Sequence, residues 1–306
     1  MKFRETKVFG VFIIVLATLF WAIGGNVGAF LFKSKEVTPE HLVTIRLVIA
    51  GSIQLVAHYF DKSKNFFNVF ENRKDIFRML LFAFGGLFTM QYFYFVTVKH
   101  SNAATAIVLQ QFAPFFVILI SSIVARRFPP LKTVLALILA LYGGFLLITH
   151  GDIGSLAVSK IALLSGLMGT LGSTLFNILP HPLQKKYGVI AVNGWSMLIA
   201  GLVFGLLNQP WKIPFIIDLQ SILGILYVSI FGTLIPFLIY MTGAQIVSPV
   251  IASILSLLET VFSTIIATTF MGVIFIYLDY IGIALVVTAL ILIMIPRRSR
   301  RPEDQL

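Results

Sequence analysis

Ten stretches of this chain are apolar, nearly free of charge, and mostly about as long as a bilayer is thick. They are Val8–Phe32, Leu42–Phe60, Ile76–Val98, Ala103–Val124, Thr133–Thr149, Ile161–Leu179, Val189–Leu207, Ile222–Ala244, Val247–Met271 and Ile274–Ile295. A hydrocarbon core of roughly 30 Å takes about 20 apolar residues per helix. The runs therefore predict an all-α membrane protein with ten transmembrane helices. Loop signals separate most of them: Phe128-Pro129-Pro130, Pro180-His181-Pro182, Asn208-Gln209-Pro210 and Ser248-Pro249. The first run is 25 residues long, against about 7–15 for a signal-peptide core, and reads as a retained helix. Composition agrees. Of the 306 residues, 58% are hydrophobic and 11% charged, too few charges to cover a soluble globule of that size. The absence of cysteine excludes disulfides, thiolate zinc sites, iron–sulfur clusters and a cysteine nucleophile.

The net charge of +11 would suit nucleic acid, but its placement suits a membrane. With the N-terminus inside, the inner segments carry Lys2, Arg4, Lys7, Lys62, Lys64, Arg73, Lys74, Arg78, Arg126, Arg127, Lys132, Lys185, Lys186, Arg297, Arg298, Arg300 and Arg301. The outer loops carry only Lys33, Lys35, Lys99, Lys160 and Lys212. Lys and Arg accumulate on the cytoplasmic side of membrane proteins, so both ends are expected in the cytoplasm and nucleic acid is not expected as a partner. Arg46 falls within the second run, near its outer end.

The chain also repeats itself. A shift of 146 residues lays Tyr94 on Tyr240, Ala106 on Ala252, Leu109 on Leu255, Phe116 on Phe262, Ile120 on Ile266 and Leu146 on Leu292, and maps 76–149 onto 222–295 without a gap. Each repeat holds five helices. Five is odd, so the second copy enters from the opposite side: two inverted five-helix repeats, 1–150 and 151–306, the latter ending in a basic cytoplasmic tail. Transporters built this way bind substrate near the midplane, between the halves.

Polar groups inside the runs are the candidates for that site. Glu259 is the one carboxylate well inside an apolar run, where an acid costs on the order of 2.5–3.5 kcal/mol to insert. It is either a proton or substrate-cation site, or a structural acid bonded to a neighbouring helix. Ser253, Ser256, Thr260 and Ser263 share one face of its helix; Gly166, Thr170, Ser173 and Asn177 share a face of another, and Thr18, Trp21, Gly25 and Gly28 of a third. Such faces turn inward, either for packing through small residues or for substrate. Asn26, Gln91, Gln110, Gln111, Asn177 and Gln245 carry amides that lipid cannot satisfy. Tyr94 and Tyr240, repeat mates, either wall a cavity or satisfy their hydroxyls in the bundle. Pro114 removes a helix hydrogen bond beside Gln110 and Gln111. Trp21 lies far from the interface and suits stacking on a planar substrate, whereas Trp211 reads as an interfacial anchor. Arg46 either snorkels to head groups or pairs structurally, or else receives an anionic group. Asp279 suits a helix N-terminus.

Several of these pieces are familiar in order and spacing: Leu19-Phe20-Trp21-Ala22-Ile23-Gly24-Gly25-Asn26, Thr44-Ile45-Arg46, Tyr94 through Ala104, Ala113-Pro114-Phe115-Phe116, Tyr240-Met241-Thr242-Gly243-Ala244 and Leu258-Glu259-Thr260-Val261-Phe262. Together they make the chain resemble the EamA-type transporters of the drug/metabolite transporter superfamily over nearly its whole length. It departs from them at Glu259-Thr260, where the family usually has Glu-Pro, and at Ala125-Arg126 and Gly272-Val273, where it often has Gly-Glu. The resemblance implies a secondary transporter of small polar metabolites, such as amino acids, in a prokaryotic inner membrane. It implies export more often than import or facilitation. It also implies a cavity lined by runs 1, 3, 4, 6, 8 and 9. On that reading the substrate-binding set is Trp21, Asn26, Gln91, Tyr94, Gln110, Gln111, Asn177, Tyr240, Ser256 and Glu259, with Glu259 also the candidate for proton coupling. The partners are a small-molecule substrate, the lipid bilayer and a proton; no cofactor or metal is expected. No Walker loop or His-Glu-x-x-His occurs, and the membrane interior offers a single acid, so an enzyme on lipid-linked substrates is the lesser reading.

Overall fold

The computed structural model describes residues 2–60, 66–101, 103–149, 151–152, 159–209, 212, 215–271 and 276–294. Among them the chain is helical throughout, without strands. We number the helices α1 (Lys2–Ser34), α2 (Pro39–Phe60), α3 (Arg73–His100), α4 (Ala103–Gln110), α5 (Ala113–Ala125), α6 (Leu131–Thr149), α7 (Lys160–Ile178), α8 (Pro180–Tyr187), α9 (Val189–Asn208), α10 (Leu219–Val247), α11 (Pro249–Leu255), α12 (Leu258–Met271) and α13 (Tyr277–Met294). Six helical segments are long and apolar enough to cross a membrane: Thr6–Ser34, Pro39–Phe60, Arg73–His100, Lys160–Tyr187, Val189–Asn208 and Leu219–Val247. The shorter apolar helices include Ala113–Ala125, Leu131–Leu147, Pro249–Ser263 and Tyr277–Leu292. The basic tail, Trp211 and the Gly272-Val273 pair lie outside the described residues.

Local sequence sets the helix ends. Asn72 caps α3 by accepting from the Lys74 amide at 2.9 Å, and Ser159 caps α7 by accepting from Ala162 at 3.1 Å. Asp218 and Ser221 form a reciprocal capping box at the start of α10, satisfying amides that the helix itself leaves orphaned. Asp279 accepts from the Ile276 amide at 2.8 Å, the N-terminal role its position suggests.

Four long helices are interrupted. In α3 the stretch Leu81–Phe88 is π-helical, and in α10 the stretch Ile230–Leu234 is too. In each, a threonine bonds the carbonyl five residues back: Thr89 to Phe84 at 2.6 Å and Thr233 to Val228 at 2.8 Å. The fourth apolar run breaks at Gln111-Phe112, just ahead of Pro114, and the ninth breaks at Ser256-Leu257. Pro114 thus begins a helix rather than kinking one. Glu259 sits in the first turn of α12, not in mid-helix as a continuous ninth helix would have it. Both kinds of interruption recur close to the 146-residue spacing found in the sequence.

Packing pairs helices distant in sequence: α2 with α9, α6 with α13, α3 with α7, and α1 with both α10 and α12. Two crossings are backbone to backbone. A methyl on Gly172 would sit 2.3 Å from the Met90 amide nitrogen, and one on Gly51 2.6 Å from the Leu198 nitrogen. Such small-residue contacts replace the hydrophobic driving force that lipid removes between helices. The main core gathers Ile14, Leu31, Leu42, Leu47, Phe82, Phe176, Phe237 and Tyr240, all but fully buried. The outside is unlike a soluble protein's. Phe12, Ile123, Val124, Leu164, Leu206 and Leu207 are all exposed, as suits a surface bathed in hydrocarbon.

At one end of the bundle the loop after α1 meets the start of α10. Lys35 pairs with Asp218, and the Ile216 amide bonds the Lys35 carbonyl at 3.1 Å. Beside it, His41 bonds the Lys212 carbonyl at 3.0 Å. The Asp218 carboxyl is held down at about 2, first by the Lys35 ammonium and then by the Ser221 amide. At the other end, Lys186 and Tyr187 converge on Asp75 at 2.7 and 2.8 Å.

Candidate functional site

The two helix breaks, the middle of α1, the first third of α2, and parts of α3, α7 and α10 line one central cavity. It offers about 110 Å³ to the centres of water-sized groups, room for several such groups side by side. Of the ten residues expected in the binding site, nine line it: Trp21, Gln91, Tyr94, Gln110, Gln111, Asn177, Tyr240, Ser256 and Glu259. Asn26 does not. Its amide nitrogen turns back to the Ala22 carbonyl, one turn earlier on α1, at 2.8 Å.

Most of the polar residues around the cavity are engaged by the protein. Tyr240 donates to Asn177 Oδ1 at 2.6 Å, and Asn177 donates to the Ser173 carbonyl at 2.8 Å. Tyr94 and Tyr240, 146 residues apart in the chain, therefore differ, since Tyr240 is tied into the bundle while the Tyr94 hydroxyl lies beside Gly25, 3.0 Å from where a β-carbon there would be. Gln110 donates to the Met90 carbonyl at 3.3 Å, and Gln111 donates to Thr260. Thr170 of α7 supports the break between α4 and α5 by donating to the Leu109 carbonyl at 2.6 Å. On α11 the Ser253 and Ser256 hydroxyls donate to carbonyls of their own helix, at 2.9 and 2.7 Å.

One wall is aromatic. Trp21 meets Tyr240 at 5.0 Å between ring centres and Phe237 at 5.2 Å, edge to face, and Phe176 packs against both partners. Rings in such edge and tilted contacts stiffen a wall while leaving apolar faces for a ligand.

Two charges line the same space. Arg46 turns inward and is only 5% exposed, so it does not snorkel to head groups. Its Nε donates to Thr233 Oγ1 at 2.8 Å, and its guanidinium carbon lies 5.0 Å from the centre of the Phe95 ring. Thr233 is the residue whose hydroxyl bridges the π-helical turn of α10, so the turn provides the socket for the arginine. Glu259 lines the same cavity from the first turn of α12, where the helix dipole favours a negative group. Unlike Lys35–Asp218, Lys186–Asp75 and Arg78–Asp75 elsewhere in the structure, Arg46 and Glu259 form no ion pair among the described residues.

Arg46 is the charged lining residue that the binding set left out, because the second run was not counted among the cavity walls. The signal was present: an arginine inside an apolar run is costly, and it favours an interior role over a lipid-facing one.

Comparison with known proteins gives a consistent answer. The model of the EamA-like transporter family matches residues 8–149 and 156–295. The chain is 31% identical over 291 residues to the uncharacterized inner membrane transporter YicL of Salmonella typhimurium, spanning 95% of this chain and 97% of that one. It is 22% identical to the uncharacterized transporter YwfM of Bacillus subtilis, over 95% of each chain. A solved crystal structure superposes with a TM-score of 0.73, covering 94% of this chain and 96% of that one, at 16% identity. At that identity the likeness concerns the fold.

Proposed function

Because the chain belongs to the EamA-like transporter family, we propose that it carries a small zwitterionic metabolite of the amino-acid kind through the central cavity by alternating access. The observation that carries this reading is the pair of unlike charges, Arg46 and Glu259, lining one cavity without pairing to each other. A guanidinium takes a carboxylate bidentately, and a carboxylate takes an ammonium group. A zwitterion neutralises both, so that neither charge stays uncompensated in a medium of low dielectric. The aromatic wall of Trp21, Phe237 and Tyr240 then faces the apolar part of the substrate.

The moving parts follow from the same geometry. We read the chain as ten membrane crossings in two inverted repeats, 1–150 and 151–306. The recurrence of the π-helical turns and of the helix breaks near a 146-residue spacing supports this, as does a family match in two stretches of similar length. Discontinuous helices at the midplane of inverted repeats are where such transporters hold substrate. Rocking of the halves would alternately break the Lys35–Asp218 end and the Asp75–Lys186 end. We place the protein in a prokaryotic inner membrane with both ends cytoplasmic, supported by the Lys and Arg distribution and by the relative of that location. Export is the preferred direction. Glu259 is the proton-coupling candidate.

The test is a thermal-stability screen of the purified protein against amino acids, amines, sugars and nucleobases. A ligand at 100 times its Kd stabilises by about 2.7 kcal/mol when it binds the folded state alone. Amino acids are expected to raise the melting temperature, and free amines and simple carboxylates to do so less. A shift from sugars or nucleobases alone refutes the zwitterion reading. In proteoliposomes, Glu259→Gln with unchanged uptake and unchanged pH response refutes proton coupling.

A further inference from the structure

Six amides singled out in the sequence look alike there, and the structure separates one of them. Gln110, Gln111, Asn177, Asn26 and Gln245 each donate an amide hydrogen to a protein acceptor. Gln91 does not. Both its amide nitrogen and its amide oxygen are buried and without a hydrogen-bond partner, the residue is 3% exposed, and it lines the central cavity. Trp21 Nε1, also on the cavity, is the other such atom in the site.

A buried amide with nothing to bond is costly, because its desolvation is not repaid. It is tolerable where a ligand supplies the missing partners. A primary amide presents a donor beside an acceptor in one plane, with fixed spacing. The group that satisfies both at once has the same planar edge reversed, which is another amide. Apolar, hydroxyl or ammonium groups satisfy at most part of it.

We infer that Gln91 is a specificity-determining residue that reads a planar amide edge on the substrate. The inference rests on the zwitterion reading of the same cavity. Together they name the substrate class: an α-amino acid whose side chain ends in a carboxamide, its carboxylate toward Arg46, its ammonium toward Glu259 and its amide toward Gln91. Sites built to hydrogen-bond a polar group discriminate strongly against analogues that lack it, because the buried protein atoms are then left unpaired.

The experiment is calorimetric titration of the purified wild-type protein, Gln91→Met and Gln91→Glu with L-asparagine, L-glutamine, L-norleucine and uracil. Norleucine keeps the zwitterion and the chain length but has no amide; uracil keeps an amide edge but has no zwitterion. In the wild type the better of asparagine and glutamine is expected to bind about ten- to a hundredfold more tightly than norleucine. In Gln91→Met, norleucine binding persists and that ratio collapses to about one. Gln91→Glu, which keeps the acceptor and loses the donor, retains an intermediate ratio. The ligand-free melting temperature of Gln91→Met is expected not to fall, since an unsatisfied polar group is being replaced by an apolar one of similar size; an amide bonded within the bundle would make it fall. Equal wild-type binding of the amides and norleucine, or an unchanged ratio in Gln91→Met, overturns this role for Gln91 and leaves the zwitterion reading standing. Uracil binding in place of every amino acid, or no amino acid binding at all, overturns both.

Discussion

Replacing Arg46 by methionine sets the function of the cavity against its stability. In the folded protein the arginine gains one charge-assisted hydrogen bond to Thr233 and one face of Phe95, worth about 1.5–3 kcal/mol and about 1–2 kcal/mol respectively. Against that stands the desolvation of a charge that is 5% exposed and has no carboxylate partner, a penalty of several kcal/mol even after relaxation. The terms nearly cancel. Methionine keeps most of the stem's packing volume, and Thr233 keeps its own bond to the Val228 carbonyl. Arg46→Met is therefore expected to fold with a stability within about 2 kcal/mol of wild type. Binding behaves differently. Truncating one side of a buried charge pair costs about 2–5 kcal/mol, a loss of about thirty- to five-thousand-fold in affinity for a substrate carboxylate. The assay is thermal unfolding without ligand, alongside titration with an amino acid and with its decarboxylated amine. The amino acid should lose affinity over that range and the amine should lose almost none. Severe destabilisation with amino-acid affinity intact would refute the reasoning, since it would make Arg46 a structural strut between α2 and α10.

Other outcomes follow from the same geometry. Gly172→Leu should destabilise severely, because even a β-carbon would lie 2.3 Å from the Met90 backbone nitrogen; Gly51→Ala should cost about 1–3 kcal/mol through overpacking at the α2–α9 crossing. Both can be read as loss of melting temperature in detergent. Tyr240→Phe leaves Asn177 Oδ1 without its donor and should lower stability by about 1–3 kcal/mol, whereas Tyr94→Phe, with no such bond, should lower it less. The Asp218 carboxyl titrates at about 2 in the folded protein and near 3.9 when unfolded. Its contribution is therefore complete above about pH 4 and disappears as pH falls through about 2. Asp218→Asn should flatten the acid-unfolding curve in that window and nowhere else.

Much of the cavity lining was open to reading before any fold was known. Nine of ten chosen residues meet at one cavity because an amide, phenol or acid inside an apolar run has to avoid lipid, and the interior of a bundle is the place left for it. Asn26 escaped that logic by bonding its own helix at 2.8 Å, a solution that the sequence offers every asparagine equally. Arg46 kept several readings open in the sequence, and its bond to Thr233, 187 residues away, selects an inward one. The helix breaks were half visible: Pro114 marked one, but Ser256-Leu257 carries no proline or glycine to announce the other.

Residence in a membrane, the length and number of apolar runs, the inward faces and the 146-residue echo are properties of the sequence alone. Hydrocarbon imposes its rules on each residue separately, so those rules can be read one residue at a time. Which amide stays unpaired, where two half-helices meet, and that Arg46 and Glu259 share one cavity without pairing to each other were decided by tertiary structure. Each of those depends on partners far apart in the chain, brought together by helix crossings as close as that of Gly172 on Met90, and no local pattern encodes which distant atom will be within 3 Å.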